Sequence, residues 1–565
     1  MLRQKVEQYV QAAVATTDQI EITIPEHAQF GHFSTSVAMK LAKERKQSPM
    51  TVAQEIAGRL PVIAPEGFFA KVEAAAPGFV NMTIAPNAIQ DGLAEIIDQG
   101  VAWGKNIERP EEIKTVVIDY SGPNIAKPMS VGHLRSTVIG QALYNIFKFA
   151  GYRTIGDNHL GDWGKQFGVL IAAYKEDGMP QDVTIDYLVK LYIDYSARMK
   201  EDAELGEAAK REVKKLQDGD PENRGIWKKF YDISIAEFDR MYAMLGVSFD
   251  HVQGESFYND QLSGIVQEAI EKGIATESEG AIVITINGYE TPLIIRKSDG
   301  AYLYTTTDLA TLRHRMDDLK ADLVLYVVGN EQSLHFEQLF KAANMMGIVE
   351  GQSLAHVKFG LMLGEDMKKF STRAGKTVSL LGLLEEAIER ARKIVDKKQP
   401  DLPEEEREAI ARAVGIGAVK YSDLSQNRQS DIVFNWDRML NFEGNSAPYL
   451  QYSYARLKSI LRKRTRNEDL DVNVNVLNDS SELQLILRLE QFPDVVEAIT
   501  QNYFPHHLAD YLYALSKDAN AMYQAVPVLK AGEAERNARL ALINAAAKTL
   551  KTGLELLGIK TLEQM

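Results

Sequence analysis

Short runs of β-branched and aliphatic residues alternate along the middle of the chain with stretches in which apolar residues return every three or four positions. Thr115 to Tyr120 is a mostly apolar run, as expected of a strand buried in a parallel sheet. Ser121-Gly122-Pro123-Asn124 is turn chemistry that stops it. From about Met129 onward, Leu134, Val138, Ile139, Ala142 and Leu143 fall near helical spacing. Tyr152 to Gly156 predicts a second short strand, which runs into DNHLGDWGKQFG (157–168), a loop rich in Gly, Asp and Asn. Leu323 to Val328 suits a central strand and is followed by GNEQSLHFEQLF (329–340), polar groups leading into a helix. This alternation predicts a doubly wound parallel sheet. Ligands in such a sheet sit at the carboxyl ends of the strands.

The flanks follow other patterns. Residues 1–110 read as a separate α/β module. Ser48-Pro49 opens a helix through about Leu60, and Val72 to Ile84 forms extended segments around a Pro-Gly break. The charged stretch NIERPEEIK (106–114) is the first boundary. Residues 113–375 make the central unit, and the charged helical stretch at about 171–245 reads as an insertion between sheet halves. Within 359–380 lies a loop with Lys368, Lys369, Arg373 and Lys376, which suits a transferring phosphate or a plain exposed surface. From Leu380 the pattern is helical, with breaks near 398–403, 467–480 and 525–533. It divides into a connecting region at 376–440 and a helical domain at 441–565.

At 565 residues and 45% apolar, the chain can bury several cores, so three or four domains are expected. The absence of cysteine excludes disulfides, thiolate metal sites and a Cys nucleophile. Ten scattered His argue against a His-rich metal cluster, and no metal site is expected. MLRQKVEQYVQAAV lacks a signal peptide's apolar core, and no run approaches the roughly 20 apolar residues of a membrane span. A soluble, cytoplasmic protein is expected. The net charge of −14 argues against non-specific nucleic-acid binding by the chain as a whole. A basic face is still available: Arg456 to Arg466, RLKSILRKRTR, holds six positive residues and no acid. It reads either as a solvated helix face or as a phosphate-contacting stripe.

The candidate chemistry lies where the first central strand gives way to its helix. Ser130-Val131-Gly132-His133 stands at the helix start, where free backbone N–H groups and the dipole favour phosphate. Gly132 has no Cβ and would let a base or ribose lie against the backbone. His133 offers a donor to a phosphoryl oxygen, and Lys127 and Arg135 add positive charge.

Taken together, these stretches resemble the class I aminoacyl-tRNA synthetases, and among them the arginyl-tRNA synthetases. SVGH is similar to the family's HIGH signature, and KFSTR (369–373) stands where KMSKS stands. DYSGPNIAKPMSVGHLRST, NHLGDWGKQFG, YLYTTTDLA (302–310) and DIVFNWDRMLNFEGNSAPYLQYSYARL (431–457) resemble its blocks, in its order. PGFVN resembles a piece of its amino-terminal tRNA-contacting domain. The resemblance implies a Rossmann-like parallel-sheet catalytic domain, an N-terminal α/β domain at the tRNA corner and an all-α anticodon-binding domain. It implies ATP, as its magnesium complex, as a substrate with L-arginine and tRNA, no tightly bound cofactor, and a monomer. Two departures stand out. Ser130 replaces the first His of HIGH, and Thr372 replaces the second Lys of KMSKS. Lys127, just before HIGH, is read as the compensating charge, with Lys369 and Arg373 assisting.

By resemblance, Ser130, Gly132, His133, Lys369 and Ser371 face ATP, while Asp119, Asn124, Tyr304, Asp308 and Gln332 hold arginine. An N-cap is the plain alternative for Asp308. Asn81, Tyr449, Tyr454, Arg456 and Tyr511 are the expected tRNA contacts, since unstacked bases rest on aromatic and Arg planes. Two rival readings remain: a tRNA-binding paralogue without charging activity, and a class I synthetase for another amino acid.

Overall fold

The computed structural model describes residues 1–105, 113–364, 379–463 and 472–565. Its centre is a five-stranded parallel sheet. The strands are β1 (Thr115–Asp119), β2 (Arg153–Asn158), β3 (His251–Val252), β4 (Leu323–Tyr326) and β5 (Ser353–His356), arranged β5-β4-β1-β2-β3. The first four residues of β1 and all of β4 are buried, which is why they read as unbroken apolar runs. The register aligns His356, Tyr326, Asp119, Asp157 and His251 in one row across the sheet near its carboxyl edge. Side chains paired across neighbouring strands share a face, so this row gathers its polar groups in one place.

Helix α1 (Val131–Phe149) follows β1 and lies close against it. A Cβ at Gly140 would fall 2.2 Å from the Cβ of Tyr120, so only glycine allows this approach. The insertion is a set of helices ending in α2 (Pro221–Leu245). Helix α3 (Tyr304–Asp317) precedes β4, and α4 (Ser333–Met345) follows it. Between α2 and α3 sits a feature the periodicity does not announce: an antiparallel sheet of Ala275–Ser278, Ala281–Ile284 and Leu293–Arg296. Strands of four residues, joined by turns such as Glu279-Gly280 at positive φ, are too short to carry a clear alternation.

The carboxyl-terminal half is helical, with α5 (Glu404–Leu424), α6 (Ala447–Arg462), α7 (His506–Ala525) and α8 (Glu533–Leu556) among its elements. At the other end, Phe33–Thr35, Phe79–Ile84 and Phe69–Ala75 form a separate three-stranded antiparallel sheet. This module rests on the carboxyl-terminal helices. Arg3 Nε lies 2.7 Å from Asp494 Oδ1, and Trp103 Nε1 donates to the Leu489 carbonyl at 3.1 Å. No helix among the described residues is long and apolar enough to cross a membrane.

Candidate active site

Loop 121–130 leaves β1 through Ser121 and Gly122, both at positive φ, and returns through Ala126, also at positive φ. Ser121 and Ala126 hold this left-handed backbone without being glycine, a strain kept in place by dense bonding. Ser136 Oγ accepts from Ser121 N–H at 2.9 Å, Asn158 Oδ1 from Gly122 N–H at 3.0 Å, and Ser234 Oγ from Ala126 N–H at 2.9 Å. Asn124 is exposed on this loop and pairs in parallel with Gly161 of the loop after β2.

At the start of α1, Ser130 N–H donates to His133 Nδ1 at 3.0 Å. With Nδ1 accepting, the proton of the neutral ring sits on Nε2, the nitrogen left free to donate. Burial lowers the His133 pKa, so the imidazole is neutral at physiological pH. Gly132 is exposed, and a Cβ there would meet only Ser130 Oγ at an ordinary 3.4 Å. The fold itself therefore leaves room for a side chain at Gly132. Lys127 is exposed, its ammonium 5.7 Å from the Tyr192 ring centre on the insertion.

Arg135 departs from expectation. It is 1% exposed, its Nε is 3.1 Å from Asp423 Oδ2 on α5, and it donates to the carbonyls of Gly360, Arg428 and Ser430. A guanidinium with its donors spent on buried acceptors adds no charge for phosphate; it ties α1 to the segment around 360 and to α5. Lys369, Ser371, Thr372 and Arg373 lie outside the described residues. The flanks of that stretch are fixed nearby: Gly360 through Arg135, and Ser379 by pairing with Ser130.

The amino-acid candidates converge from three elements. Tyr304 and Asp308 sit one turn apart on α3, and His335 of α4 joins them. Its Nε2 is 2.6 Å from Asp308 Oδ2, and its ring packs edge-on to Tyr304 at 4.9 Å. Tyr304 is 61% exposed and Gln332 is exposed, so both are free to receive a ligand. Asp308 is not a cap, because the helix begins at Tyr304 with Leu303 as its N-cap. Asp119, at the end of β1, is bonded through Oδ2 to Arg315 at 2.7 Å. Burial holds its carboxyl above the usual carboxylate range, with Arg315 pulling the other way.

Sequence reasoning missed Glu255, which opens a short 3₁₀ helix just after β3. Its carboxyl is pushed up to about 8 by burial and by the like charges of Asp162 and Asp308. Asp162 is itself buried and held by the N–H and Oγ of Ser256 at 2.8 and 2.6 Å. Asp308 has only His335 beside it, and among the described residues no Lys or Arg bridges Asp308, Asp162 or Glu255. Acids crowded in this way form a receptor for a cation, and a guanidinium matches two carboxylates in a plane. The available signal was a Gly-Glu-Ser turn after a strand, too common to single out.

Of the expected tRNA contacts, only two meet. Tyr449 OH accepts from Asn520 Nδ2 at 3.2 Å, and Arg456 Nη1 donates to Asn520 Oδ1 at 3.3 Å. Tyr513 packs edge-on to Tyr449, and Arg456 lies 5.1 Å from the Tyr523 ring centre. Tyr454, Tyr511 and Asn81 are corrections. They are 2%, 5% and 5% exposed, and bond internally to Glu563, the Arg488 carbonyl and Ser34. A ring enclosed by core atoms has no face for a base. Part of the basic run is also engaged, since Arg462 donates to the Glu563 carbonyl at 2.7 Å; Arg464 and Arg466 lie outside the described residues.

Three family models match the chain in order. The "Arginyl tRNA synthetase N terminal domain" matches residues 1–84, "tRNA synthetases class I (R), catalytic domain" residues 95–436, and "DALR anticodon binding domain" residues 450–565. The chain belongs to the arginyl-tRNA synthetases. It is 43% identical to an arginine–tRNA ligase of Laribacter hongkongensis, over 95% of this chain and 94% of that one. To one of Escherichia coli it is 42% identical, over 100% and 99%. The arginyl-tRNA synthetase of Thermus thermophilus superposes with a TM-score of 0.83 at 26% identity, over the whole of both chains. That of Plasmodium falciparum gives 0.84 at 28%, covering 100% of this chain and 99% of that one. The synthetase catalytic model thus spans both the loop–helix site at Ser130–His133 and the acid cluster at Glu255 and Asp308.

Proposed function

We propose that the protein is an arginine–tRNA ligase. It activates L-arginine with ATP to arginyl-adenylate and pyrophosphate, then passes the arginyl group to the 3′-terminal ribose of its tRNA. The observation that carries this is Asp308 on α3, 2.6 Å from His335 and accompanied by the exposed Tyr304 and Gln332. Its charge helps raise the Glu255 carboxyl, a receptor of the sign a guanidinium needs, within the stretch that the synthetase catalytic model spans.

In this reading ATP arrives as its magnesium complex, the metal being part of the substrate, and lies over Gly132 at the start of α1. His133 donates its Nε2 proton to a phosphoryl oxygen. Ser130 orients that ring through its backbone N–H, which requires no charged side chain where the family's first His stands. Lys127, Lys369 and Arg373 neutralise charge on the triphosphate, and Ser371 is assigned to ATP with them. Asn124 and Asp119 take the backbone end of arginine, while Glu255, Asp308, Tyr304 and Gln332 enclose its guanidinium. The arginine carboxylate then attacks the α-phosphate. Such a transfer rests on positioning and charge neutralisation, with no protein nucleophile. The anticodon face is assigned to Tyr449 and Arg456 with Asn520, Tyr513 and Tyr523, a ready-made aromatic and cationic cluster between α6 and α7.

The same reading divides the chain into units at 1–110, 113–375, 376–440 and 441–565, acting as a cytoplasmic monomer. Charging of total tRNA with each of the twenty amino acids is the test. Arginine alone should be transferred. A protein that binds tRNA and charges nothing would be the inactive paralogue, and transfer of another amino acid would overturn the pocket assignment.

A further inference from the structure

The acids of the pocket are backed by a guanidinium that belongs to the protein. Arg315, on α3, is 0% exposed and reaches the sheet row from below. Its Nη2 lies 2.7 Å from Asp119 Oδ2 and 2.7 Å from Asp157 Oδ2, and its Nε is 3.0 Å from Asp157 Oδ2. The guanidinium also lies 5.1 Å from the Tyr326 ring centre. The register explains the meeting, since Tyr326, Asp119 and Asp157 stand side by side on β4, β1 and β2. Asp157 is 1% exposed and closed off, whereas Asp119 keeps 13% of its side chain open. Among the described residues Asp119 Oδ1 makes no hydrogen bond, so one oxygen is held by Arg315 and the other is left for a ligand.

We propose that Arg315 is a positioning residue for amino-acid recognition: it turns the Asp119 carboxylate toward the pocket and leaves the Asp119–Arg315–Asp157 trio one negative charge in excess. The inference rests on the arginine-binding role given to Asp119 above. Two acids and one cation buried together carry a charge that an incoming ammonium or guanidinium completes, whereas a second acid–base pair would have left the site neutral. Nη2 meets both carboxylates and Nε adds a second bond to Asp157, a two-point grip that fixes the guanidinium plane and that a lone ammonium lacks. The remaining groups around Asp119 do not replace it. They are His159 from the loop after β2, Tyr258 beyond β3 and Tyr326 on β4, with Asp308, earlier on α3, acting on Tyr326. Since Arg315 opposes the upward pull of burial on the Asp119 carboxyl, weakening it moves ionisation of Asp119 to higher pH.

Arg315→Lys tests this on the full-length enzyme. The expected result is a rise of about tenfold or more in the KM for arginine with the KM for ATP within about twofold. The pH profile of kcat/KM for arginine should move to higher pH than in wild type. A folded variant with unchanged arginine KM and unchanged profile would overturn the proposal, as would equal losses toward arginine and ATP. If Arg315→Lys does not fold, Asp157→Asn carries the test, because it keeps the Arg315–Asp119 bridge and removes the excess charge. Its arginine KM should rise about three- to tenfold at unchanged ATP KM, and no rise would overturn the proposal. Failure of the wild-type protein to charge tRNA with arginine would instead sink the function itself, and is read without any variant.

Discussion

A carboxyl group pushed up to about 8 changes charge inside the working range of an enzyme, and Glu255 does so among two other acids. Its raised pKa means that the folded protein without arginine holds a proton there that the unfolded chain has lost. The stability this contributes is present below the ordinary carboxylate range and is lost as pH climbs toward 8. Glu255→Gln should therefore leave the melting temperature unchanged at low pH and raise it at pH 8.5, measured without arginine. The same change should raise the arginine KM by roughly 10- to 100-fold, the worth of one charge-assisted bond. It should also remove the step expected near pH 8 in the kcat/KM profile for arginine, leaving in place the limb set by Asp119. For Lys127 the expectation concerns rate: Lys127→Ala should slow ATP–pyrophosphate exchange by tens- to hundreds-fold, about 2–3 kcal/mol of lost charge stabilisation. An unchanged exchange rate would remove Lys127 from the mechanism.

At the scale of elements, the site depends on how closely α1 lies on β1. Gly140 is the point of closest approach, facing Tyr120, which is 1% exposed and donates its hydroxyl to the Ser248 carbonyl at 2.7 Å. Alanine there would gain about 1 kcal/mol of helix propensity. It would also place a methyl against a ring base that cannot swing aside, where overpacking costs about 1–3 kcal/mol or more. Gly140→Ala should thus be destabilising by urea unfolding, and a stabilised variant would mean that α1 can lift from β1. The strands and helices of this layer were legible from apolar runs and turns, because β1 and β4 are enclosed on both faces. Glu255 was not, because its neighbour Asp308 arrives from an element about fifty residues later.

For the whole molecule, the amino-terminal module and the carboxyl-terminal helices are far apart in the chain and joined in space. Arg3 bridges Asp494 and Glu497, Leu2 N–H donates to Glu490 Oε2 at 2.9 Å, and Gln90 Nε2 to the Leu477 carbonyl at 2.8 Å. Burial raises the Asp494 carboxyl, with Arg3 and the terminal ammonium opposing, so removing Arg3 takes away its hydrogen-bonded counter-charge and leaves only the terminal ammonium. Arg3→Ala should weaken docking by roughly 1–3 kcal/mol, less than for a fully buried pair because the two side chains keep 20% and 18% of their surface open. Calorimetry should then resolve an early transition of the amino-terminal module; a single unshifted transition would show that the bridge carries no coupling.

The sequence by itself determined the α/β order, the loop–helix at Ser130–His133, the helical carboxyl-terminal half and, through ordered motifs, the family. These are properties of neighbours along the chain, since periodicity, turn residues and caps act within a few positions. Only the tertiary structure decided the fate of charged and aromatic side chains. Arg135 became a buried tie, Arg315 a brace between two strands, Tyr454 and Tyr511 core, and Glu255 part of an acid cluster. Burial and charge state depend on which distant groups displace water from a side chain, and no local pattern encodes that.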